Sequence, residues 1–216
     1  MLAVVGRPGE EAFYLGAVLD AFRAGGTATS VLAFTEGEAA LPSVTSSTAA
    51  TSTRRSEFEV ASFVLRVTHR LMIDYPDGGL DRIPEAELVR QVIDMIRRCS
   101  ADLLLTAEAG GIDPLVIGAT CAAGRAAGVP VLAWTLPAEV AADVRAAGGQ
   151  GVPDHPGGTT DFAVRVARNV QMRAMRAHRS QAAVEHAQIA RLDVQGDREW
   201  LHWLVLPDRR AHTQGR

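Results

Sequence analysis

The chain contains no lysine, and its 22 basic residues are all arginine. With a net charge of -3 and a pI near 6.1 there is no basic field to attract a phosphate backbone, and no run of arginines supplies one locally. Nucleic acid is therefore not an expected partner. The arginine bias, together with the many alanines and glycines, points to a GC-rich coding genome and carries no mechanistic weight. Cysteine is nearly absent. Cys99 and Cys121 are too few for a disulfide framework or a thiolate metal site, and their helix-like surroundings predict buried reduced thiols. Long apolar runs are missing too: no segment reaches the roughly 20 residues that span a bilayer. The start "MLAVVGRPGE" lacks a basic n-region and a signal-length apolar core. A cytoplasmic protein with no membrane partner is the expectation.

What is present is 47% hydrophobic residues over 216 positions, enough for one substantial core, so a single domain over 1–216 is predicted. Short β-branched or Leu-rich runs alternate with segments of helical period. "LAVV" precedes 9–24, "TSVLAF" precedes 54–67, "RLMI" precedes 84–98, "DLLLT" precedes 114–127 and "VPVLAW" precedes 137–147. This alternation predicts βαβ units and an α/β fold with a mostly parallel, doubly wound sheet. "AGG" at 24–26 and "AGVP" at 127–130 read as helix stops feeding the next strand. The stretch 35–53, polar and small, reads as a long loop. Beyond a Gly/Pro-rich segment that carries His155, "DFAVRV" reads as an edge strand, followed by two final helices around 169–187 and 197–205.

Ligands of a doubly wound sheet bind outside the C-terminal strand ends. The turns 6–11, 35–53 and 107–114 therefore matter. The first carries Arg7, Glu10 and Glu11, the third Glu108 and Asp113, and their strands can lie side by side, which would gather charge at one rim. Acids at helix N-termini, complementing the macrodipole, explain Glu10, Glu11 and Asp113 equally well without any ligand.

Eight landmarks in order extend the reading over nearly the whole chain: "VVGRPGEEAFYLGAVL", "VLAFTEGEA", "RRSEFEVASFVLRV", "IDYPDGGL", "DLLLTAEAGGIDP", "GVPVLAWTLP", "AHRSQ" and "GDREWLHWL". In this order the chain resembles the PIG-L/LmbE family of zinc-dependent N-deacetylases and amidases, which act on N-acetyl sugars, sugar–thiol conjugates and related small amides. The resemblance implies a Rossmann-like sandwich. It also implies a zinc site that this chain departs from. The family's first motif, His-Pro-Asp-Asp-Glu, supplies two zinc ligands, the His and second Asp, and a general base, the first Asp; here Arg7, Gly9 and Glu10 stand at those places. The later Gly-His-Pro-Asp-His supplies a catalytic His and the third ligand, against Gly110-Gly111-Ile112-Asp113-Pro114 here, and no His occurs between His69 and His155. A guanidinium stays protonated and cannot ligate a metal, so only Glu10 and Asp113 remain to touch one. The expectation is that Arg7 replaces the ion as the local positive charge, paired with Glu10 or Asp113, and that neither metal nor other cofactor is used.

Of the family's surroundings, "AHRSQ" keeps His178, the best surviving acid/base group, with Glu10 and Glu11 as its carboxylate companions. The alternative for His178 is a solvent-facing histidine on an Arg-rich helix. Arg54 and Glu57 match the family's Arg-x-x-Glu and are expected to brace a helix against the pocket floor. "DYPDGG" reads as a tight turn around Asp77 and Gly78. Tyr14 and Trp134 read as core. Trp200 and Trp203, with His202 between them, would pack on the body or on a neighbouring subunit, and the second option would make a homo-oligomer.

Three functions follow. The first is a repurposed, metal-independent enzyme of specialised metabolism, doing acid/base chemistry on a small molecule in the pocket formed by Arg7, Gly9, Glu10, Gly111, Asp113 and Pro114. The second is a non-catalytic pseudoenzyme used for binding or assembly, whose sign would be a pocket closed by the Arg7 salt bridge. The third is a residual deacetylase holding zinc through Glu10, Asp113 and His178.

Overall fold

The computed structural model describes residues 1–40, 47–108, 111–149 and 160–207, so His155 and Gly110 lie outside the described residues. One seven-stranded sheet runs through it. The strands are β1 (Leu2–Val5), β2 (Ser30–Thr35), β3 (His69–Tyr75), β4 (Leu104–Ala107), β5 (Val131–Thr135), β6 (Phe162–Arg165) and β7 (Arg198–Val205), in the order β3-β2-β1-β4-β5-β7-β6. The first five are parallel, and β7 and β6 close the far edge antiparallel. Strands β1, β2, β4 and β5 are buried along their whole length, as Val-, Leu- and Ala-rich runs covered on both faces must be. The predicted α/β, mostly parallel doubly wound sheet is the observed one.

The helices are α1 (Glu10–Phe13), α2 (Gly16–Ala24), α3 (Ser47–Val64), α4 (Glu85–Cys99), α5 (Pro114–Ala127), α6 (Ala138–Ala146), α7 (Asn169–Met175) and α8 (Ala182–Gln195). Helix α5 ends where its sequence says it should. Asp113 accepts from the Leu115 N–H at 2.9 Å, Pro114 opens the first turn, and Gly128 takes the left-handed closing position at φ 68°.

Three expectations are corrected. The helix predicted over 9–24 is interrupted after Phe13. Gly16 lies so close to Gln171 that a Cβ would come within 3.1 Å of its Cγ, and the carbonyls freed by the break are taken by buried side chains. Gln171 Nε2 donates to Ala12 O and Phe13 O at 3.2 and 3.1 Å, and Arg191 Nη2 donates to Phe13 O. The loop expected to reach Thr53 stops earlier, because α3 begins at Ser47; its Ala/Ser/Thr opening carries no apolar period to announce it. Finally, 197–205 is not a helix but the strand β7. Its apolar residues at 200, 201, 203 and 204 fit both periods, and pairing to β5 and β6 decides between them, with Glu199 and Leu201 fully buried.

Those burials close the core. Trp134, Tyr14, Phe13 and Leu201 sit in it, which agrees with the core reading of the two aromatics. Cys121 is buried and Cys99 half-buried, both free. Arg191, fully buried, stacks 4.8 Å from the Trp134 ring and 5.5 Å from that of Tyr14, and its burial lowers the guanidinium to about 10. Glu199 answers the charge, accepting from Trp134 Nε1, Gln195 Nε2 and Arg168. The C-terminal third is thereby bolted to the interrupted first helix.

Candidate functional site

Strands β1, β2 and β3 progress to one side of the sheet and β4, β5 to the other, so the switch point lies between β1 and β4. The turns leaving these two strands are the ones that hold Arg7 and Asp113. Between them opens a cavity of about 330 Å³, lined by Arg7, Glu10, Thr35, Asp77, Asp113 and Pro114 together with small backbone-exposing residues including Gly6 and Gly111. Its size is at the lower end for small-molecule sites.

Glu10 is the buried charge on its floor. Oε2 accepts the Gly6 and Arg7 backbone N–H groups at 2.8 and 3.1 Å, and Oε1 accepts Arg7 Nε at 3.3 Å. The turn folds this way because α1 starts at Glu10, so its first-turn acid reaches back to the N–H groups of the preceding loop. Burial pushes the Glu10 carboxyl up, while Arg7 and the two backbone donors pull it down without cancelling the rise. For Arg7, burial works to lower the guanidinium, but Glu10 and then Asp77 outweigh it and hold it above its ordinary value. The expected ion pair forms with Glu10 rather than Asp113, through Arg7 Nε, and leaves the Arg7 side chain 45% exposed. Asp113 lines the cavity while capping α5.

Gly9 has no room for a side chain. At φ 103° a Cβ would meet Gln181 Nε2 at 2.5 Å and Phe13 Cε2 at 2.9 Å. Gln181 is fixed there by donating to Pro8 O at 3.0 Å. Gly111, also at positive φ, faces open space, and Pro114 offers no donor.

His178 and Glu11 do not line this cavity. They face each other in the interior, His178 Nε2 to Glu11 Oε1 at 2.8 Å with both side chains fully buried, and Glu11 Oε2 accepts the Gly9 N–H at 2.7 Å. The solvent-facing alternative for His178 is thus replaced by a buried one: the chain turns out of α7 at this residue and points the ring onto Phe13, 5.9 Å between centroids. Glu57 takes both the N–H and Oγ of Ser180, at 2.7 and 2.6 Å, and Arg54, buried, donates to Gly37 O at 3.1 Å. These bonds tie α3 to the segments carrying Gly37 and Ser180, neither of which lines the cavity, so the pair braces the helix beside the site rather than against its floor.

The residue sequence reading missed is Asp77. Its turn is the predicted one, with Gly79 N–H to Pro76 O at 3.0 Å and Gly78 at φ 75°, but it aims the Asp77 carboxylate into the cavity. Oδ2 of Asp77 is buried and has no hydrogen-bond partner among the described residues, as is true of Glu38 Oε2 and Arg54 Nη1 beside it. Burial raises the Asp77 carboxyl first, then Arg7 lowers and Glu38 raises it. Only the turn chemistry of "PDGG" hints at this; nothing in its spacing shows that it borders β1. Glu108, expected at the rim, instead faces His202, with Oε2 to Nε2 at 2.7 Å. No three His, Cys, Asp or Glu side chains converge as a metal site among the described residues.

Comparison with known proteins places this arrangement. No curated protein matches the chain. Several solved structures share its fold: the A40926 pseudoaglycone deacetylase Dbv21, 24% identical, TM-score 0.70, covering 95% of this chain and 96% of that one; the 4-carboxy-2-hydroxymuconate hydratase GalB from Pseudomonas putida KT2440, 15% identical, TM-score 0.71, covering 96% of each; and the N,N'-diacetylchitobiose deacetylase from Pyrococcus horikoshii, 16% identical, TM-score 0.70, covering 94% and 83%. The family model described as PIG-L, GlcNAc-PI de-N-acetylase, matches residues 2–115, which include Arg7, Glu10, Asp77 and Asp113, so this chain belongs to the PIG-L family.

Proposed function

We propose that this PIG-L chain works without the family's zinc centre, as a metal-independent enzyme that binds a small polar molecule in the rim cavity and moves protons on it. The observation that carries the reading is the Arg7–Glu10 pair on the cavity floor. A catalytic zinc needs three donors around an open position. Of the carboxylates lining the cavity, Glu10 has both oxygens occupied, Asp113 caps a helix, and Asp77 is left as a single uncommitted carboxylate with the Arg7 cation near it. His178 is committed to Glu11. The position of the family's general base is Gly9, where Gln181 occupies the space a side chain would need. This donor set does not fit zinc.

Without a metal to lower the pKa of water from about 16 to near 7, amide hydrolysis loses its nucleophile. Proton transfer, elimination or rearrangement needs only positioning and an acid/base pair. In this reading the free Nη groups of Arg7 hold an anionic group of the substrate, Asp77 donates a proton and Glu10 accepts one. Its environment equips Asp77 as the donor, since burial raises its carboxyl. His178 and Glu11 act at one remove, holding Gly9 and so the turn that carries Arg7. An open cavity walled by charge supports an enzyme over a binding protein with a closed pocket. The likeness to Dbv21, described as a deacetylase of the antimicrobial reagent A40926 pseudoaglycone, supports a setting in specialised metabolism.

The test is metal retention. Protein incubated with excess Zn²⁺ and dialysed exhaustively is expected to keep none by elemental analysis, with Arg7→His/Pro114→His as the variant in which two ligands return. About one equivalent in the wild type would overturn the reading.

A further inference from the structure

On the outer face of α3, away from the cavity, two apolar side chains stand in water: Phe63 is 81% exposed and Val60, one turn before it, 50%. They form a ridge between two concavities. One, about 440 Å³, is bordered by Val60, Arg173, Arg176 and Arg179; the other, about 490 Å³, by Phe63, Arg66, Arg70 and Arg173. Acids are present but engaged, Glu59 with Arg70 and Glu57 with Ser180. Arg66, Arg173 and Arg179 form no ion pair among the described residues. A chain of net charge -3 thus concentrates free guanidinium groups around an exposed phenyl ring.

Arg66 adds a second, independent observation. Helix α3 closes with Val67 N–H to Ser62 O at 2.9 Å and Arg66 N–H to Phe63 O at 3.0 Å, a Schellman pattern that puts Arg66 in the left-handed region at φ 56°. Glycine takes that place without strain, as Gly128 does after α5. Ser100 fills it after α4. Here a long cation occupies a position that favours glycine, and it points its charge to the same patch.

We propose that this face docks on an anionic lipid surface, with Phe63 and Val60 entering the headgroup–acyl boundary and the arginines holding phosphates. The contact proposed is peripheral; no helix among the described residues is long and apolar enough to cross a membrane. Guanidinium groups match phosphate oxygens in bidentate geometry, and the two concavities are large enough to seat headgroups on either side of the ridge. A protruding ring with no wall around it suits insertion into a fluid boundary, where no complementary pocket is required. A second copy docking through the same face would set these arginines against one another.

Flotation of the full chain with vesicles decides the matter. Binding is expected to phosphatidylcholine vesicles containing about a third phosphatidylglycerol, not to pure phosphatidylcholine, and it should be lost at ~1 M salt, where the Debye length is about 3 Å. Arg173→Ser/Arg179→Ser should weaken it at least ~10-fold and Phe63→Ser about 10-fold. Arg66→Gly separates the idea from a general loss of fold: it should weaken binding about 5-fold while raising Tm by about 2–4 °C. Equal binding to neutral vesicles, absence of binding to anionic ones, or unchanged binding by these variants would overturn it. Phe63-dependent binding to a polyglutamate peptide without vesicle binding would overturn it in favour of an acidic polypeptide partner.

Discussion

The rim cavity and the outer face of α3 handle charge in opposite ways. At the rim and just beneath it most charged side chains are answered from within: Arg7 by Glu10, Glu10 by two backbone N–H groups, Asp113 by its own helix and, in the interior, Glu11 by His178 and Gly9. On the α3 face, Arg66 and Arg173 beside the exposed Phe63 ring, and Arg179 beside Val60, have no ion pair among the described residues. Buried charge has to be paired because desolvation makes an uncompensated ion costly, whereas exposed charge can be held ready for a partner. The exceptions there are therefore informative. Among the described residues Asp77 Oδ2, Glu38 Oε2 and Arg54 Nη1 are buried without a hydrogen-bond partner, and Asp77, which lines the cavity, is where the proposed chemistry is placed.

The difference can be broken most forcefully at the sealed pair. Glu11→Ala should cost about 3–5 kcal/mol in denaturant unfolding, since it strands the His178 ring and the Gly9 N–H together. If the loss is under ~1 kcal/mol, the pair is not the anchor of the turn. Next comes Gly9→Ala, expected to cost roughly 1–3 kcal/mol, because a Cβ at φ 103° collides with Gln181 and Phe13; Gly111→Ala, facing open space though also at positive φ, should cost less.

A smaller effect sharpens the contrast through pH. The folded-state carboxyls of Glu10 and Asp77 are both raised, from ordinary values of 4.5 and 3.8, burial being the first cause for each. In that window the native state binds more protons than the unfolded chain. Stability from these groups is thus full below the unfolded pKa and declines as pH rises through the folded one. Thermal unfolding across acid to neutral pH should show Asp77→Asn with a flatter decline than wild type; parallel curves would remove the argument that Asp77 carries the proton. Smallest of all, Arg173→Ser and Arg179→Ser should leave stability within about 0.5 kcal/mol, as exposed groups do.

Much of the fold was legible because its signals are local. Buried parallel strands announce themselves as short Val/Leu/Ala runs, and α5 is bracketed by Asp113, Pro114 and Gly128. Where two periods fit equally, at 197–205, only pairing with β5 and β6 chose the strand. Of the residues that line the cavity, Arg7, Glu10, Gly111, Asp113 and Pro114 stand in the turns that motif order singled out, Gly9 does not line it, and charge alone left Glu10 and Asp113 open as the partner of Arg7. The separation of Glu11 from Glu10 could not: adjacent on one helical turn, they point their carboxylates to different sides, one to the cavity and one to the interior.

By itself, then, the sequence determined a doubly wound α/β chain of the PIG-L family, because strand composition, helix caps and motif order are properties of residues and their near neighbours. Tertiary structure alone decided that Asp77 joins the cavity, that His178 is sealed away from it, and that Arg66 just after α3, Arg70 of β3 and Arg173 of α7 gather beside Phe63. Those outcomes depend on which distant segments the sheet order brings together, and no local pattern encodes that.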